Sequence, residues 1–375
     1  MTDLIPRPTD RDVAYGIVLG LDPSGSGPAG RPGPARPPLV ALERAVLPAL
    51  RRSPCLVSFS GGLDSSLVLA IAARVARREG LPDPVPVTWR FTDAPRAHET
   101  PWQAKIIGEL DLGRQWQILQ AGDDLDLVGP VARRLLTRYG QLHPPNRHLH
   151  LPIVELARGG ALLTGIGGDQ ILNGWRRRPD SFRARLGRLR LRRRETDPFP
   201  WLRPEAGRQA RRALRAERRA EPRRLAQRIA WHLRRRDLTM TRLSLAAVAA
   251  DHDVLAVSPL LSDGFTAALA ARHGRLRSPS RGQLLTAIAD AALPPVIVAP
   301  RRKAAFDEVF LRAATRDLVN AWDGSGVDGS LVDVRALRRE WSAWPIDAGT
   351  AALVQQVWLT GLSAAPGLPD LEAPR

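Results

Sequence analysis

The chain has 375 residues, of which 44% are apolar and 25% charged, and its net charge is +18. This is enough apolar sequence to bury a sizeable core, which excludes a chain that is disordered throughout. The single cysteine, Cys55, excludes a disulfide scaffold, a cysteine-rich zinc site, an iron–sulfur cluster and a two-cysteine redox relay. The start of the chain lacks the basic and apolar segments of a signal peptide, and the longest uncharged stretch, 348–369, is broken by glutamine, glycine and proline. We therefore expect a cytoplasmic protein with no membrane span.

The excess positive charge is concentrated in one stretch of the chain. Between Arg176 and Arg236 there are 23 arginines and only six carboxylates. Such a patch is typical of a surface that binds an acidic partner or a nucleic acid. A solvated arginine-rich helical surface without a partner explains the same residues, because all but two of the 56 basic residues are arginine. The sequence leaves both interpretations open.

The order of the predicted elements indicates the fold class. Residues 13–21 predict a short strand, 22–38 a linker rich in proline and glycine, and 39–51 a helix with a possible kink at Pro48. Strands are then predicted at 55–60, 85–91, 115–119 and 161–165, and helices at 65–79, 101–109 and 126–139. Strands that alternate with helices in this way predict a doubly wound α/β fold with a parallel sheet.

Beyond Asn173 the strand signals stop, and only helices are predicted. Their ranges are 205–235, 242–251, 263–271, 281–291, 306–322 and 350–359. We therefore divide the chain into an N-terminal strand and linker (1–38), an α/β core (39–175), an arginine-rich helical insertion (176–240) and a helical C-terminal part (241–375).

The most specific motif is Ser60-Gly-Gly-Leu-Asp-Ser-Ser66, hereafter the first loop, which follows a buried strand ending near Ser58 and opens a helix. Gly61 and Gly62 permit positive φ and close approach by an anion, while the hydroxyls of Ser60, Ser65 and Ser66 and the free N–H groups of the helix surround it. These features predict a pyrophosphate-binding turn. Asp64 would repel a phosphate unless Mg²⁺ lay between them. A strand-to-helix turn without a ligand is the alternative.

Gly165-Ile-Gly-Gly-Asp-Gln170, hereafter the second loop, follows the fourth predicted strand. In a doubly wound sheet the strand that starts the second half lies beside the first strand, so both loops reach one crevice. We therefore expect Asp64 and Asp169 to share one Mg²⁺, with Gly167 and Gly168 beside the ligand. Alone, this motif is as well explained by a plain turn.

Lys303, in Arg301-Arg-Lys-Ala-Ala-Phe306, is one of only two lysines in the chain. A compact ammonium suits charge that develops on a phosphate or at a tetrahedral centre better than a planar guanidinium does. A surface lysine in an arginine-rich loop is the alternative.

The first loop resembles the signature of ATP pyrophosphatases, which cleave ATP between its α and β phosphates. Together with the second loop and residues 301–306, it resembles the synthetase domain of the asparagine synthetase family over roughly residues 40–359. Ser258-Pro-Leu-Leu-Ser-Asp263 and Glu99 are weaker points of similarity. The resemblance implies an adenine-nucleotide α-hydrolase-like fold and an ATP-dependent, AMP-forming amide ligase. It assigns binding of ATP and magnesium to Ser60, Gly61, Gly62, Asp64, Ser65 and Asp169, and stabilisation of transition states to Lys303.

Three departures from the family pattern concern the substrate. Position 2 is threonine and the family's glutaminase domain is missing from the sequence, so we expect that glutamine is not the direct nitrogen source. Ile166 stands where the family has an acidic residue or a tyrosine, and Gln170 replaces the next acidic residue. These changes remove the usual general base and favour a substrate other than free aspartate. Lasso-peptide macrolactam cyclases, relatives that activate an Asp or Glu side chain of a precursor peptide, are our preferred comparison.

Three functions therefore stay open from the sequence. The preferred one is an ATP-dependent ligase that joins a carboxylate to an amine or ammonia, assisted by a separate glutaminase or a precursor-peptide protein. The second is an ATP pyrophosphatase that modifies tRNA and uses the arginine-rich patch for RNA; the lone Cys55 disfavours its thiolating forms. The third is a binding module without activity, against which Asp64, Asp169 and Lys303 argue.

Overall fold

The computed structural model describes residues 5–23, 36–91, 100–174, 197–289, 293–299 and 307–364. Within these ranges one sheet is formed by five strands, β1 Cys55–Ser58, β2 Val85–Phe91, β3 Gln117–Ala121, β4 Ala161–Leu163 and β5 Leu255–Val257. Their order is β3-β2-β1-β4-β5, and every pair is parallel. Because the order reverses at β1, the switch point of the sheet lies between β1 and β4. The predicted doubly wound α/β fold is confirmed.

The helices of the first half alternate with the strands. They are α1 Asp10–Tyr15, α2 Pro38–Leu50, α3 Leu63–Glu79, α4 Thr100–Glu109, α5 Pro130–Tyr139 and α6 Leu151–Leu156. Short 3₁₀ turns at Asp123–Leu125 and Pro145–His150 precede α5 and α6. Helix α2 runs through Pro48 to its end at Leu50.

The second half is mainly helical. Its α-helices are α7 Pro204–Ala220, α8 Leu225–Leu233, α9 Arg236–Ala250, α10 Asp263–His273, α11 Arg281–Ala289, α12 Pro295–Val298, α13 Asp307–Phe310, α14 Ala313–Ala321, α15 Val334–Ser342 and α16 Ala351–Ala364. A π-helical turn, Asp169–Asn173, follows β4, and 3₁₀ turns lie at Pro259–Leu261 and Ala348–Thr350. In the described ranges, none of the helices is both long and apolar enough to cross a bilayer.

Residues on the two faces of the central strands belong to different cores. In β1, Cys55 and Val57 pack with the buried residues of α2, α3 and α10, whereas Leu56 packs with α6 and α9 on the other face. The same alternation continues in β4, where Leu163 and Leu162 belong to opposite cores. Side chains of successive strand residues point to opposite faces, so a strand covered on both sides reads as a continuous apolar run. This is why the sequence predicted β1 as buried.

Another core lies away from the sheet and joins the two ends of the described chain. Val13 and Ala14 of α1 pack there with Leu353 and Val354 of α16, and also with residues of α7, α14 and α15. The indole nitrogen of Trp201 donates to the carbonyl of Ala14 at 2.7 Å. The N-terminal helix is thus part of the helical C-terminal half.

Four predictions for the elements are wrong. The strand at 13–21 is replaced by α1, whose N-cap Thr9 forms a capping box with Asp12 and which ends at Gly16 in the left-handed conformation. The second half does contain a strand, β5, which is too short to show a periodic pattern. The helix predicted over 205–235 is divided into α7 and α8 around Glu221 and Pro222, where the proline lacks the N–H that a helix would use. The helix predicted over 306–322 is likewise divided, into α13 and α14.

Asp126 anchors the C-terminal half to the sheet half. Its carboxylate is fully buried and accepts the backbone N–H groups of Val128, Arg312 and Thr315 and the hydroxyl of Thr315. The backbone of 312–315 is therefore fixed beside the turn that follows β3.

We expect Asp126→Asn to lower the free energy of unfolding by about 2–4 kcal/mol, because an amide nitrogen would face backbone donors that then lose their acceptor. Asp124→Asn is the matched control, since Asp124 is exposed and its one hydrogen bond, to the N–H of Gly122, suits an amide oxygen equally well. Denaturant titrations of both variants measure the difference. Equal unfolding midpoints would show that Asp126 is not an anchor.

Candidate active site

The first loop forms a tight glycine turn at the N-terminus of α3. Gly61 has φ 90°, a conformation that favours glycine, and α3 begins directly afterwards at Leu63. The Ser65 hydroxyl lies 3.1 Å from the Ser60 hydroxyl and donates to the Gly62 carbonyl, also at 3.1 Å. The Ser66 hydroxyl donates to the same carbonyl at 2.7 Å. The hydroxyls thus hold the turn in shape at the N-terminus of a 17-residue helix.

A buried glutamine holds the first loop from the side. The side-chain amide of Gln103, on α4, donates to the Ser60 carbonyl at 2.7 Å, and Arg90 of β2 donates to the Gln103 side-chain oxygen. Arg90 lies over the ring of Trp116, and burial lowers the pKa of its guanidinium. Sequence reasoning missed Gln103, which has no motif around it.

The second loop lies directly against the first, as the strand order requires. A methyl group on Gly165 would lie 2.9 Å from the Ser65 nitrogen and 3.1 Å from Cβ of Asp64, and one on Gly168 would overlap the Asp64 carboxylate. Gly167 has φ 93° and lies against Leu261. The glycines of the second loop are therefore needed for the approach of the two loops, and they hold the Asp64 carboxylate beside the second loop.

Asp64 and Asp169 converge on one cation, the guanidinium of Arg281. One terminal nitrogen of Arg281 is paired with Oδ1 of Asp64, and the other donates to Oδ1 of Asp169 at 3.0 Å. The side chains of Asp64 and Arg281 are only 18% and 19% exposed, so solvent screens this ion pair weakly, whereas the side chain of Asp169 is 39% exposed. The expected convergence of the two carboxylates is thus observed. Arg281, the first residue of α11, was missed because nothing in the sequence distinguishes it from the other arginines.

The two carboxylates also fit a magnesium ion. Among the residues that the structure describes, no three His, Cys, Asp or Glu side chains form a metal-binding group. Mg²⁺ is usually held by one or two carboxylates together with substrate phosphates, so a larger cluster is not required. Asp64 and Asp169 supply two carboxylates beside the first loop, and this donor set suits Mg²⁺.

Both loops open into a cavity of about 430 Å³ at the carboxyl ends of β1, β2 and β4. Its polar lining includes Ser58, Ser60, Gly62, Asp64, Ser65, Asp169 and Arg281. Its apolar lining includes Trp89 and Phe91 of β2, whose rings stack at 6.3 Å, together with Phe310. A lining that combines charged groups with aromatic rings suits a ligand with an anionic group and a flat apolar body.

His150 lines the same cavity between the 3₁₀ turn and α6. Burial, together with the nearby Arg147 and His148, lowers the pKa of its imidazole to about 3. Its Nδ1 atom is buried and has no hydrogen-bond partner among the described residues. A lowered pKa favours the neutral imidazole, so His150 offers an uncharged polar group in the wall of the cavity. No motif in the sequence indicated this residue.

Ile166 also lines the cavity, and its side chain packs against the apolar residues on both faces of the sheet. An isoleucine here leaves no group in the second loop, other than Asp169, that can carry a proton next to the ligand. The absence of an acid at this position, noted in the sequence, thus makes this side of the cavity apolar.

Several expected residues lie outside the described ranges, namely Glu99, Lys303 and the segment 176–196. In the described part of the arginine-rich stretch, many arginines pair within the protein: Arg211 with Asp197, Arg235 with Glu217, and Arg236 with Asp12. Arg228 and Arg235 are buried. Others, such as Arg212, Arg215 and Arg223, are exposed. Part of the charge therefore stabilises the helical half, and part faces solvent.

Comparison with known proteins agrees with this geometry. The family model described as asparagine synthase matches residues 40–364, which include the sheet, both loops and Arg281. No curated protein matches the chain. The match covers far more than half of the sequence and both converging loops, and the chain therefore belongs to the asparagine synthase family, whose chemistry is the ATP-dependent formation of a carbon–nitrogen bond.

Proposed function

We propose that the protein activates a carboxylate as an acyl-adenylate and transfers the acyl group to an amine or to ammonia. A carboxylate oxygen attacks the α-phosphorus of ATP, the bond to the bridging oxygen breaks, and pyrophosphate leaves. The nitrogen nucleophile then attacks the acyl carbon, loses a proton, and AMP departs. The observation that carries this proposal is the convergence of Asp64 and Asp169 beside the first loop.

The first loop is suited to the leaving pyrophosphate. N–H groups at the start of α3 and the hydroxyls of Ser60, Ser65 and Ser66 are suited to donate to its oxygens, while Gly61 and Gly62 allow it to approach the backbone. Ser58, at the end of β1, and Gly167 and Gly168, in the second loop, would lie beside a nucleotide bound at the first loop. The apolar wall of the cavity excludes water that would hydrolyse an acyl-adenylate.

Asp64 and Asp169 would hold the magnesium ion, which neutralises charge on the phosphates and on the leaving group. The chain's own contribution is to fix the two carboxylates: Gly168 leaves room for that of Asp64, and the turn after β4 carries that of Asp169.

The departures at Ile166 and Gln170 bear on the substrate. An apolar side chain at 166 offers no partner for the amino group of free aspartate, whereas it suits a peptide whose Asp or Glu side chain enters the cavity. We therefore propose a peptide carboxylate as substrate in natural-product maturation, with a precursor peptide or a separate glutaminase as partner.

The exposed arginines of α7 suit an acidic partner or a nucleic acid. tRNA modification remains the alternative function, without thiolation, because burial raises the pKa of the only thiol, Cys55, to about 12.

A product analysis tests the central proposal. Incubated with labelled ATP, Mg²⁺, hydroxylamine as the amine, and a panel of free aspartate, glutamate and peptides containing these residues, the protein should give AMP, pyrophosphate and a hydroxamate. Asp169→Asn should abolish these products while keeping the melting temperature. Formation of ADP and phosphate would contradict the proposal, since it means cleavage at the γ-phosphate.

Gly168→Ala should reduce AMP formation by about 10²-fold, because the added methyl group displaces the Asp64 carboxylate and misplacement by about an ångström has effects of this size. The backbone of Gly168 is in the right-handed helical region, so alanine adds no backbone strain. Gly264→Ala, on α10 with no atom within 4 Å of the new methyl group, is the matched control. If the two variants have equal activity, the position of Asp64 is unimportant.

Lys303→Arg should reduce the rate by about 10²–10³-fold with a much smaller change in ATP affinity, because the charge is kept but displaced from the developing charge. The only other lysine, Lys105, is exposed on α4 over the ring of Trp102, and Lys105→Arg is the control. Steady-state kinetics of both variants measure the turnover rate and the dependence on ATP concentration. A Lys303→Arg variant as fast as the control would make Lys303 a surface residue.

A further inference from the structure

We propose that Arg281 is an exchangeable counterion: it neutralises Asp64 and Asp169 before metal binds, and it moves to a phosphate oxygen of pyrophosphate or ATP when a divalent cation takes the two carboxylates. This inference rests on the proposed function, because it assigns a ligand to the same site. Neither the motif in the first loop nor that in the second includes Arg281, which lies more than 100 residues further along the chain.

The first step of the argument is competition for the same atoms. Arg281 contacts Oδ1 of Asp64 and Oδ1 of Asp169, one with each terminal nitrogen, so its guanidinium lies between the carboxylates. A hard cation held by both aspartates needs oxygens from the same two groups. A guanidinium carries one positive charge, whereas the metal carries two. Binding of the metal between the carboxylates therefore displaces Arg281 from at least one of them.

The second step concerns the donors of Arg281 that the carboxylates do not use. A guanidinium has five N–H donors in a rigid plane. The Nε of Arg281 is buried, and no acceptor for it lies among the described residues. A buried donor without an acceptor is unfavourable, and a tetrahedral phosphate offers several oxygens to such a fork. The present contacts thus satisfy Arg281 only in part.

The third step concerns the position of Arg281 relative to the first loop. The backbone of α11 is held by the buried Leu284, Leu285 and Ile288, while the side chain of Arg281 reaches from the first residue of the helix into the cavity. Ser60 and Ser65 of the first loop line the same cavity. A small rotation of a long side chain on a fixed helix is enough to exchange a carboxylate for a phosphate.

Two binding measurements test the exchange without turnover. Arg281→Met should bind Mn²⁺ alone, followed by electron paramagnetic resonance, at least tenfold more tightly than the wild type, because the competing charge is gone. In the presence of saturating Mn²⁺, the variant should bind inorganic pyrophosphate at least tenfold more weakly by calorimetry, because a phosphate ligand is gone. Arg275→Met, which removes the same charge at an exposed position, should change neither affinity.

The proposal requires both changes in Arg281→Met: a higher affinity for Mn²⁺ and a lower affinity for pyrophosphate. Affinity changes in opposite directions are what an exchange of ligands predicts. Unchanged or weaker Mn²⁺ binding would mean that Arg281 does not compete with the metal, and unchanged pyrophosphate binding would mean that it never reaches the phosphate; either result overturns the proposal. If Arg281→Met does not fold, Arg281→Lys carries the same two tests, with smaller changes in the same directions, since an ammonium cannot bridge both carboxylates as a fork. Failure of the proposed function would show as missing AMP, with these binding results intact.

Discussion

Two carboxylates brought together by the order of the strands determine how this site is built. Asp64 follows β1 and Asp169 follows β4, about a hundred residues apart, and only the parallel pairing of these strands places them side by side. Like charges at short range are unfavourable unless a cation lies between them. The close approach of Gly168 to the Asp64 carboxylate and the pairing of both carboxylates with Arg281 follow from this constraint.

The elements and site residues that could be predicted from the sequence are those with a clear local pattern. Buried apolar runs at β1 and β4, each followed by glycines, identified the sheet, the switch point and both loops, because burial and positive φ leave a clear mark on residue choice. Arg281, Gln103 and His150 reach the site through long-range packing, which leaves no local pattern. In addition, the many other arginines of the chain make Arg281 inconspicuous in the sequence. The short strand β5 and the helix α1 were missed for a related reason, since elements of three to six residues are decided by tertiary contacts more than by propensity.

Hydrogen bonds around the site hold the first loop in a fixed conformation. In the first loop, hydroxyls bond to one another and to carbonyls, and Gln103 fixes the Ser60 carbonyl from a buried position. An anion that binds here finds the turn formed and has only to redirect hydroxyl protons, so little conformational entropy is lost on binding. On the far side, Asp126 holds the backbone of 312–315 against the sheet half. The cavity is thus formed between two halves that are each fixed by buried hydrogen bonds.

The only thiol of the chain lies at the start of β1, in the middle of the sheet, opposite Ala161 of β4. Burial raises the pKa of its thiol to about 12, so we expect Cys55 to react slowly with an alkylating reagent while the protein is folded. It becomes reactive only when the central strand is exposed. The rate at which a thiol reagent modifies this protein therefore measures opening of its core, with no second cysteine to confuse the signal. The stability of the unlabelled, unmutated chain, with and without bound nucleotide, can be followed by chemistry at a single sulfur atom.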